Sequence, residues 1–550
     1  MFNGILGKDT FYMSHTRDRR SGWRRFLPAL VLLAGLGSSP LLAAPAAPAG
    51  LKPADVDSLV ARAMAAFSVP GVAVGIVKDG KLVFAKGYGV REVGKPGQVD
   101  ADTLFGIGSN TKAFTTAALA ILVDEGKLRW DDRVIDILPD FRLFDPYVTR
   151  EFTVRDLLTH RSGLGLGAGD LMFVPETDFT RMDILRALRH LKPVTSFRAE
   201  FAYDNLMYGV AGDIVPAITG MSWEDFVTDR ILKPIGMGPC AVLLSRSAEK
   251  NNVAMPHSLL DAKLTPVTPL EIPAIAPAGS IQCSINGMAK WLQTQLAHGT
   301  SPSGATIFSA EQGSEMWSAQ TILRPGGKRA ELTRTHFAAY GLGWGLEDFD
   351  GYKRVSHNGG LLGMVTHVSM IPELGLGVIV LTNQEDPYIL GALPLQLLEA
   401  YTQAPKRDWI ALLAEAKSKN VEAGRAKDAA AVPNPEPAAI AVMKLDAYAG
   451  TFDDPWRGAV TISRQGEGLE MRFSHTNGLA GPMTPLAENL FVVRWKDRSL
   501  NADAYVRFTQ DFAGKVVGFK MQAISSSTDF SFDFQDLNFT RRELPAPTAH

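Results

Sequence analysis

The strongest constraint on how this chain folds is the placement of its β-rich runs. Residues 72–78 and 81–88 are rich in Val, Ile, Phe and Tyr and are joined by Asp79-Gly80, a pair suited to a two-residue hairpin. Comparable runs return only after residue 340, at 341–346, 364–371 and 377–382. Between them lie helical patterns: 111–125, stopped by Gly126, then signals at 153–160, 182–191 and 287–297. A helix pattern at 54–67 precedes the hairpin, and two more follow at 395–401 and 409–429. Strands on both sides of a helical middle predict an α+β domain whose antiparallel sheet is closed by both ends of the segment.

The texture changes at Ala429–Pro437, an Ala/Pro stretch that reads as a linker. Beyond it, alternating runs at 460–463, 469–473, 490–495, 505–509, 516–521 and 530–539 are separated by Gly, Asn and Asp turns. Short strands at regular spacing predict a small all-β sandwich or barrel of about 100 residues. The expected organisation is therefore a domain at 51–402, a helix and linker at 403–442, and a β-domain at 443–542.

Composition excludes several classes of function. Hydrophobic residues make up 46% and charged residues 21%, a globular balance. Lys plus Arg number 56 against 58 acids, so nothing suggests a basic groove for nucleic acid. The two cysteines, Cys240 and Cys283, cannot build a disulfide scaffold or a cysteine metal site. No His-Glu-x-x-His occurs among the ten histidines, so no metal and no other cofactor is implied. Gly75–Lys81 nearly spells a phosphate loop, but Leu82 stands where Ser or Thr is required, and the run lies in the hairpin.

The first 46 residues read as an export signal. Arg17, Arg19, Arg20, Arg24 and Arg25 precede the apolar run 26–36, and small residues follow at 43–47. A single membrane anchor is the alternative, but the run falls short of the ~20 residues a span needs. Removing residues 1–46 takes away six bases and two acids, leaving 50 against 56. The expectation is an exported protein, periplasmic or secreted, with no membrane span after signal removal. Export would permit a Cys240–Cys283 disulfide; two separate buried thiols are the alternative.

The chemistry begins at Ser109-Asn110-Thr111-Lys112, which opens the second helix pattern. Serine and lysine three apart share a helix face, so the amine can reach the hydroxyl and help remove its proton. A plain N-cap would use the same serine, and Ser247–Lys250 repeats the pattern in a polar stretch. Two further elements single out the first copy: Tyr203-Asp204-Asn205 before the apolar run 206–210, and His357-Asn358-Gly359-Gly360 before the strand pattern at 364–371.

Serine-lysine, tyrosine-x-asparagine and basic residue-x-glycine, in that order, resemble the signature of the penicillin-recognising serine hydrolases. The likeness is to the branch of class C β-lactamases, DD-peptidases, D-aminopeptidases and esterases. Thr153–Leu164 and Tyr340–Gly345 echo the same branch, and the resemblance covers about residues 51–400. The tail, about 443–542, is similar to the lipocalin-like domain attached to some of these hydrolases, through Tyr448–Phe452 and Phe530–Phe534. It implies a β-lactamase-like domain, antiparallel sheet with flanking helices and a helical subdomain, followed by a small barrel.

The resemblance implies roles for each residue. Ser109 would be the nucleophile of an acyl-enzyme, with Lys112 beside it, and Tyr203 the general base in acylation and then base or relay for the deacylating water. Asn205 would hold Lys112 or the substrate amide. Backbone N–H groups of Ser109 and Gly360 would form the oxyanion hole, beside Gly359, and His357 would line the site opposite the tyrosine. His160 and His367 are expected to be structural. Lysine usually stands where His357 does in penicillinases, and a neutral imidazole attracts a carboxylate less. The expected activity is cleavage of amide bonds in small or unusual peptides, including D-residue or linearised cyclic ones. A carboxylesterase, a β-lactamase or DD-peptidase, and an inactive binding protein are the alternatives.

Overall fold

A computed structural model describes residues 50–260, 263–431 and 444–543. The expected export signal lies outside the described residues, as does the expected linker from residue 432 onward. Among the described residues no helix is long and apolar enough to cross a membrane.

The hairpin forms as expected, with β1 at Gly71–Lys78 and β2 at Lys81–Gly89. Six strands from the far side of the helical middle complete an antiparallel sheet: β3 Thr321–Leu323, β4 Ala338–Tyr340, β5 Gly345–Phe349, β6 Tyr352–Leu361, β7 Met364–Ile371 and β8 Leu376–Thr382. The spatial order is β2-β1-β8-β7-β6-β5-β4-β3, so β1 pairs with the last strand, Val72 opposite Thr382 and Lys78 opposite Leu376. Strands β1 and β8 are buried on both faces, which is why they are nearly continuous apolar runs.

The two faces of β1 feed different cores. Val72, Val74 and Ile76 meet helix α1 (Pro53–Phe67), and the same core takes in Pro387–Glu399 and the start of Trp409–Ala431. Ala73 and Val77 point the other way, to the core that contains α2 (Lys112–Asp124) and α4 (Ile285–Leu296). There Phe114 stacks on Trp291 with ring centroids 4.0 Å apart. Between α2 and α4 in sequence comes α3, Leu206–Thr219, which begins just after the tyrosine motif.

The tail is a closed, sequentially wound barrel of eight antiparallel strands, Gly450–Asp454 through Phe539–Arg541. Phe452, Phe491, Phe508 and Phe519 fill it with ring-to-ring contacts. Closure leaves no free sheet edge.

Several local expectations are corrected. The helix expected at 153–160 is one turn, Val154–Leu157, and that at 182–191 is Arg181–Ala187 with a tighter turn at Leu188–His190. The strand expected at 341–346 starts only at Gly345, because Gly343 takes φ +81° in the turn from β4. The run 530–539 is not a strand: only Phe539–Arg541 joins the barrel, and 530–533 leaves it for the other domain. Ala480–Ala487 forms a barrel strand that the sequence reading missed, disguised by Pro482 and Pro485. Of the two alternatives left open for Cys240 and Cys283, the structure has the disulfide.

Candidate active site

Ser109 sits in a tight 3-10 turn, Gly108–Thr111, that runs directly into α2. In such a turn residues i and i+3 eclipse, so Ser109 and Lys112 line up more closely than on an α-helix. Lys112 Nζ is 3.0 Å from Ser109 Oγ. The turn is pinned against the sheet. Thr366 Oγ1 donates to the Ile107 carbonyl at 2.9 Å, and Asn110 Nδ2 donates to Thr366 Oγ1 at 2.9 Å.

The glycines of the third motif serve this approach. A Cβ on Gly359 would overlap the Ile107 carbonyl oxygen, and one on Gly108, itself at φ +53°, would sit 2.6 Å from the Gly360 nitrogen. Only glycine lets strand β6 lie this close beneath the serine turn.

Lys112 is fully buried. Its Nζ donates to Asn205 Oδ1 at 2.7 Å and to the Ala278 carbonyl at 3.0 Å, in addition to Ser109. It also lies over the rings of Tyr203 and Tyr208, 4.8 and 5.2 Å from their centroids. Burial brings the amine down to about 7, against the pull of the Asp170 and Asp204 carboxylates.

Tyr203 lines the same cavity as Ser109 and precedes α3; Asp204, between the two motif residues, caps that helix by accepting from the Leu206 and Met207 amides at 2.9 and 3.4 Å. Burial pushes the Tyr203 phenol well above its usual range, and the nearby Ser109 hydroxyl only partly opposes it. Asn205, also buried, passes its amide nitrogen to Asp170 Oδ2 at 2.8 Å.

The structure brings Ser109, Lys112, Tyr203 and Asn205 together; Ser109, Tyr203, Asn205 and Gly360 line one cavity of about 130 Å³, and Lys112 is buried beside it. His357 and Gly359 are not on that cavity. His357 lies behind Tyr203, ring centroids 6.3 Å apart, and is buried. Its Nδ1 donates to the Asn358 carbonyl at 2.6 Å, which leaves Nε2 to accept the Tyr340 hydroxyl at 2.9 Å. Burial, reinforced by Lys112, lowers it to about 3, so it is a neutral imidazole. His160 packs 4.2 Å from the Tyr203 ring and accepts the Asp204 amide through Nδ1 at 3.1 Å. His367 pairs with Asn358.

Other residues at the site escaped the sequence reading. The barrel sends Asp529, Phe530, Ser531 and Phe532 into the wall of the cavity, and Phe530 meets the Tyr203 ring edge-on at 6.2 Å. Ser531 Oγ donates to Asp170 Oδ2 at 3.0 Å. Asp533 accepts the Gly169 and Leu171 amides at 2.6 and 3.2 Å, and burial pushes its carboxyl up to about 8. The two acids on the cavity wall are Glu385 and Asp529, and no Lys, Arg or His is among the described residues lining it. Burial, with Asp529 nearby, pushes Glu385 up to about 7.

A family model described as Beta-lactamase matches residues 56–400, and one described as a domain of unknown function, DUF3471, matches 434–541. Unguisins hydrolase ungD' of Aspergillus campestris (strain IBT 28561) is 28% identical over 430 residues, 74% of this chain and 77% of that protein. Penicillin-binding protein 4 of Amycolatopsis lactamdurans is 30% identical over 322 residues, 57% of this chain and 81% of that one. Among solved structures, the octameric penicillin-binding protein homologue from Pyrococcus abyssi superposes with a TM-score of 0.56 at 23% identity, covering 89% of this chain and all of that one.

Proposed function

The chain belongs to the Beta-lactamase family of serine hydrolases, and from that premise we propose that it cleaves amide bonds of small or unusual peptides through an acyl-enzyme on Ser109. One observation carries the reading. Lys112, fully buried, has two fixed acceptors besides the serine, Asn205 Oδ1 and the Ala278 carbonyl. A neutral amine that spends its two hydrogens there presents its lone pair to Ser109, 3.0 Å away.

In this reading Lys112, not Tyr203, takes the serine proton. The amine sits near 7, where its free-base form is populated at neutral pH, whereas the buried phenol stays protonated. Ser109 Oγ attacks the amide carbon, and the Ser109 and Gly360 amides receive the oxyanion. Each such donor is worth about 3 kcal/mol in related sites. Tyr203 then gives its proton to the leaving amine and recovers one from Lys112. Water entering the vacated space hydrolyses the ester, releasing a carboxylic acid and restoring Ser109. His357 acts at one remove, as a neutral wedge behind Tyr203.

The substrate reading is supported by charge. Glu385 and Asp529 face the cavity and the motif histidine is neutral, so a substrate carboxylate finds no cation except Lys112, which is already engaged. That argues against β-lactams and DD-peptidase substrates and favours a peptide carrying an amine or no charge. Phe173, Ile272, Leu361, Leu500, Phe530 and Phe532 make most of the wall apolar, so bulky apolar side chains fit. Unguisins hydrolase, by its name a hydrolase of unguisins, supports a hydrolytic reaction here. We also propose that residues 1–46 are removed on export; the Cys240–Cys283 disulfide supports an oxidising destination.

Fluorophosphonate labelling mapped by mass spectrometry, followed by panels of D- and L-peptides, esters and penicillins, tests the reading. Labelling of Ser109 with turnover of peptides is expected. Turnover of esters alone would make the protein a carboxylesterase, and absence of labelling would leave an inactive binding protein.

A further inference from the structure

We infer that Asp170, held from the barrel by Ser531 and Asp533, is a positioning residue for Lys112: it fixes the Asn205 amide in the orientation that offers the lysine an acceptor. The inference deepens the reaction proposed above and rests on it.

An asparagine amide has two nearly isosteric orientations. With Oδ1 toward Lys112 the contact is a good hydrogen bond at 2.7 Å; flipped, an N–H donor would face the amine and the buried lysine would lose an acceptor. The outcome is decided on the far side of the amide. Asp170 Oδ2, 2.8 Å from Asn205 Nδ2, accepts, and a flipped amide would set oxygen against oxygen there. A protonated Asp170 with its hydrogen on the other oxygen, which is buried and has no partner, still accepts at Oδ2. The clamp therefore holds in either charge state.

Asp170 is itself held from the barrel. Ser531, 361 residues away in sequence, donates to the same Oδ2 at 3.0 Å. Asp533 accepts the amides of Gly169 and Leu171, the residues on either side of Asp170, which fixes the backbone that carries it. All of these side chains are buried: Asp170 and Asp533 are fully enclosed, and Ser531 and Asn205 nearly so. A continuous hydrogen-bonded line thus runs Ser531–Asp170–Asn205–Lys112–Ser109, from one domain to the nucleophile of the other. The barrel contributes to the reaction by orienting the base, in addition to walling the cavity.

The test uses the full chain with Asp170→Ala, Asp170→Asn, Ser531→Ala and Ser109→Ala. Hydrolysis of p-nitrophenyl butyrate gives kcat and KM, and thermal melts report folding. Asp170→Ala should lower kcat at least 30-fold with KM within threefold of the parent. Asp170→Asn, which still offers an oxygen acceptor, should return kcat to within threefold, and Ser531→Ala should lower it about threefold. An Asp170→Ala enzyme within threefold of the parent, or an Asp170→Asn enzyme as slow as the alanine variant, overturns the positioning role. Should Asp170→Ala not fold, Ser531→Ala decides: a parent-like kcat overturns the inference and a reduced one supports it. Ser109→Ala separates the two levels, since residual turnover there would remove Ser109 from the reaction and leave the clamp without a task.

Discussion

Replacing Lys112 with methionine probes the proposed base most directly. Methionine fills much of the same volume but lacks the amine that sits within 3.0 Å of Ser109, Asn205 and the Ala278 carbonyl. Loss of a general base typically costs 10²–10⁴-fold, about 3–5 kcal/mol of barrier. Stability should move little, because two opposing terms nearly cancel. Two buried acceptors lose a donor, at about 1–3 kcal/mol each, while the expense of burying the amine disappears. The assay is the second-order rate of fluorophosphonate labelling between pH 5 and 9. In the parent only the free-base amine reacts, so the rate should fall tenfold per pH unit below about 7 and level off above it. The methionine variant should be 10²–10⁴-fold slower on that plateau and flat across the same range. A parent rate that does not change between pH 5 and 8, or a variant within threefold of the parent, would refute the assignment of the base to Lys112.

Three further outcomes are expected. Gly359→Ala should lower the melting temperature and abolish labelling of Ser109, because the added methyl meets the Ile107 carbonyl under the serine turn; a variant that labels at the parent rate would show that the turn has room to shift. Removing the disulfide with Cys240→Ala and Cys283→Ala opens a loop 43 residues long and should cost about 4 kcal/mol, read as a lower denaturant midpoint at unchanged kcat. Glu385→Gln with Asp529→Asn should raise KM for peptides with a free amine at least fivefold while sparing N-acetylated ones; equal effects on both would end the proposed charge preference.

Much of the fold was legible because its signals are local. The Asp79-Gly80 turn and the apolar runs at 364–371 and 377–382 carry their own signals, and each becomes the element expected. The misreadings have physical causes. Helices at 153–160 and 182–191 are shortened by tight turns, and Pro482 and Pro485 hid a barrel strand. The run 530–539 looked like a strand because its Phe-x-Phe alternation is real, but Phe532 and Phe534 are buried outside the ladder, where the chain leaves the barrel. At the site, Ser109, Lys112, Tyr203 and Asn205 were readable as spaced motifs. His357 was readable as a residue but not as a position, since nothing local says that a ring will turn to Tyr340 instead of the cavity.

The sequence by itself determined the reagents and their order along the chain: a serine one tight turn before a lysine, a tyrosine and asparagine opening a helix, and glycines small enough for a strand to pass under the serine. These are properties of residue type and short spacing, which neighbouring atoms enforce. The proposal of Lys112 over Tyr203 as the base came only from tertiary structure, because burial shifts an amine and a phenol in opposite directions. It also decided that Ser531 and Asp533, more than 350 residues from Asp170, hold the acid behind Asn205. Solvent exclusion and long-range hydrogen bonds come into being only when distant segments of the chain meet, and no period or motif in the chain records them.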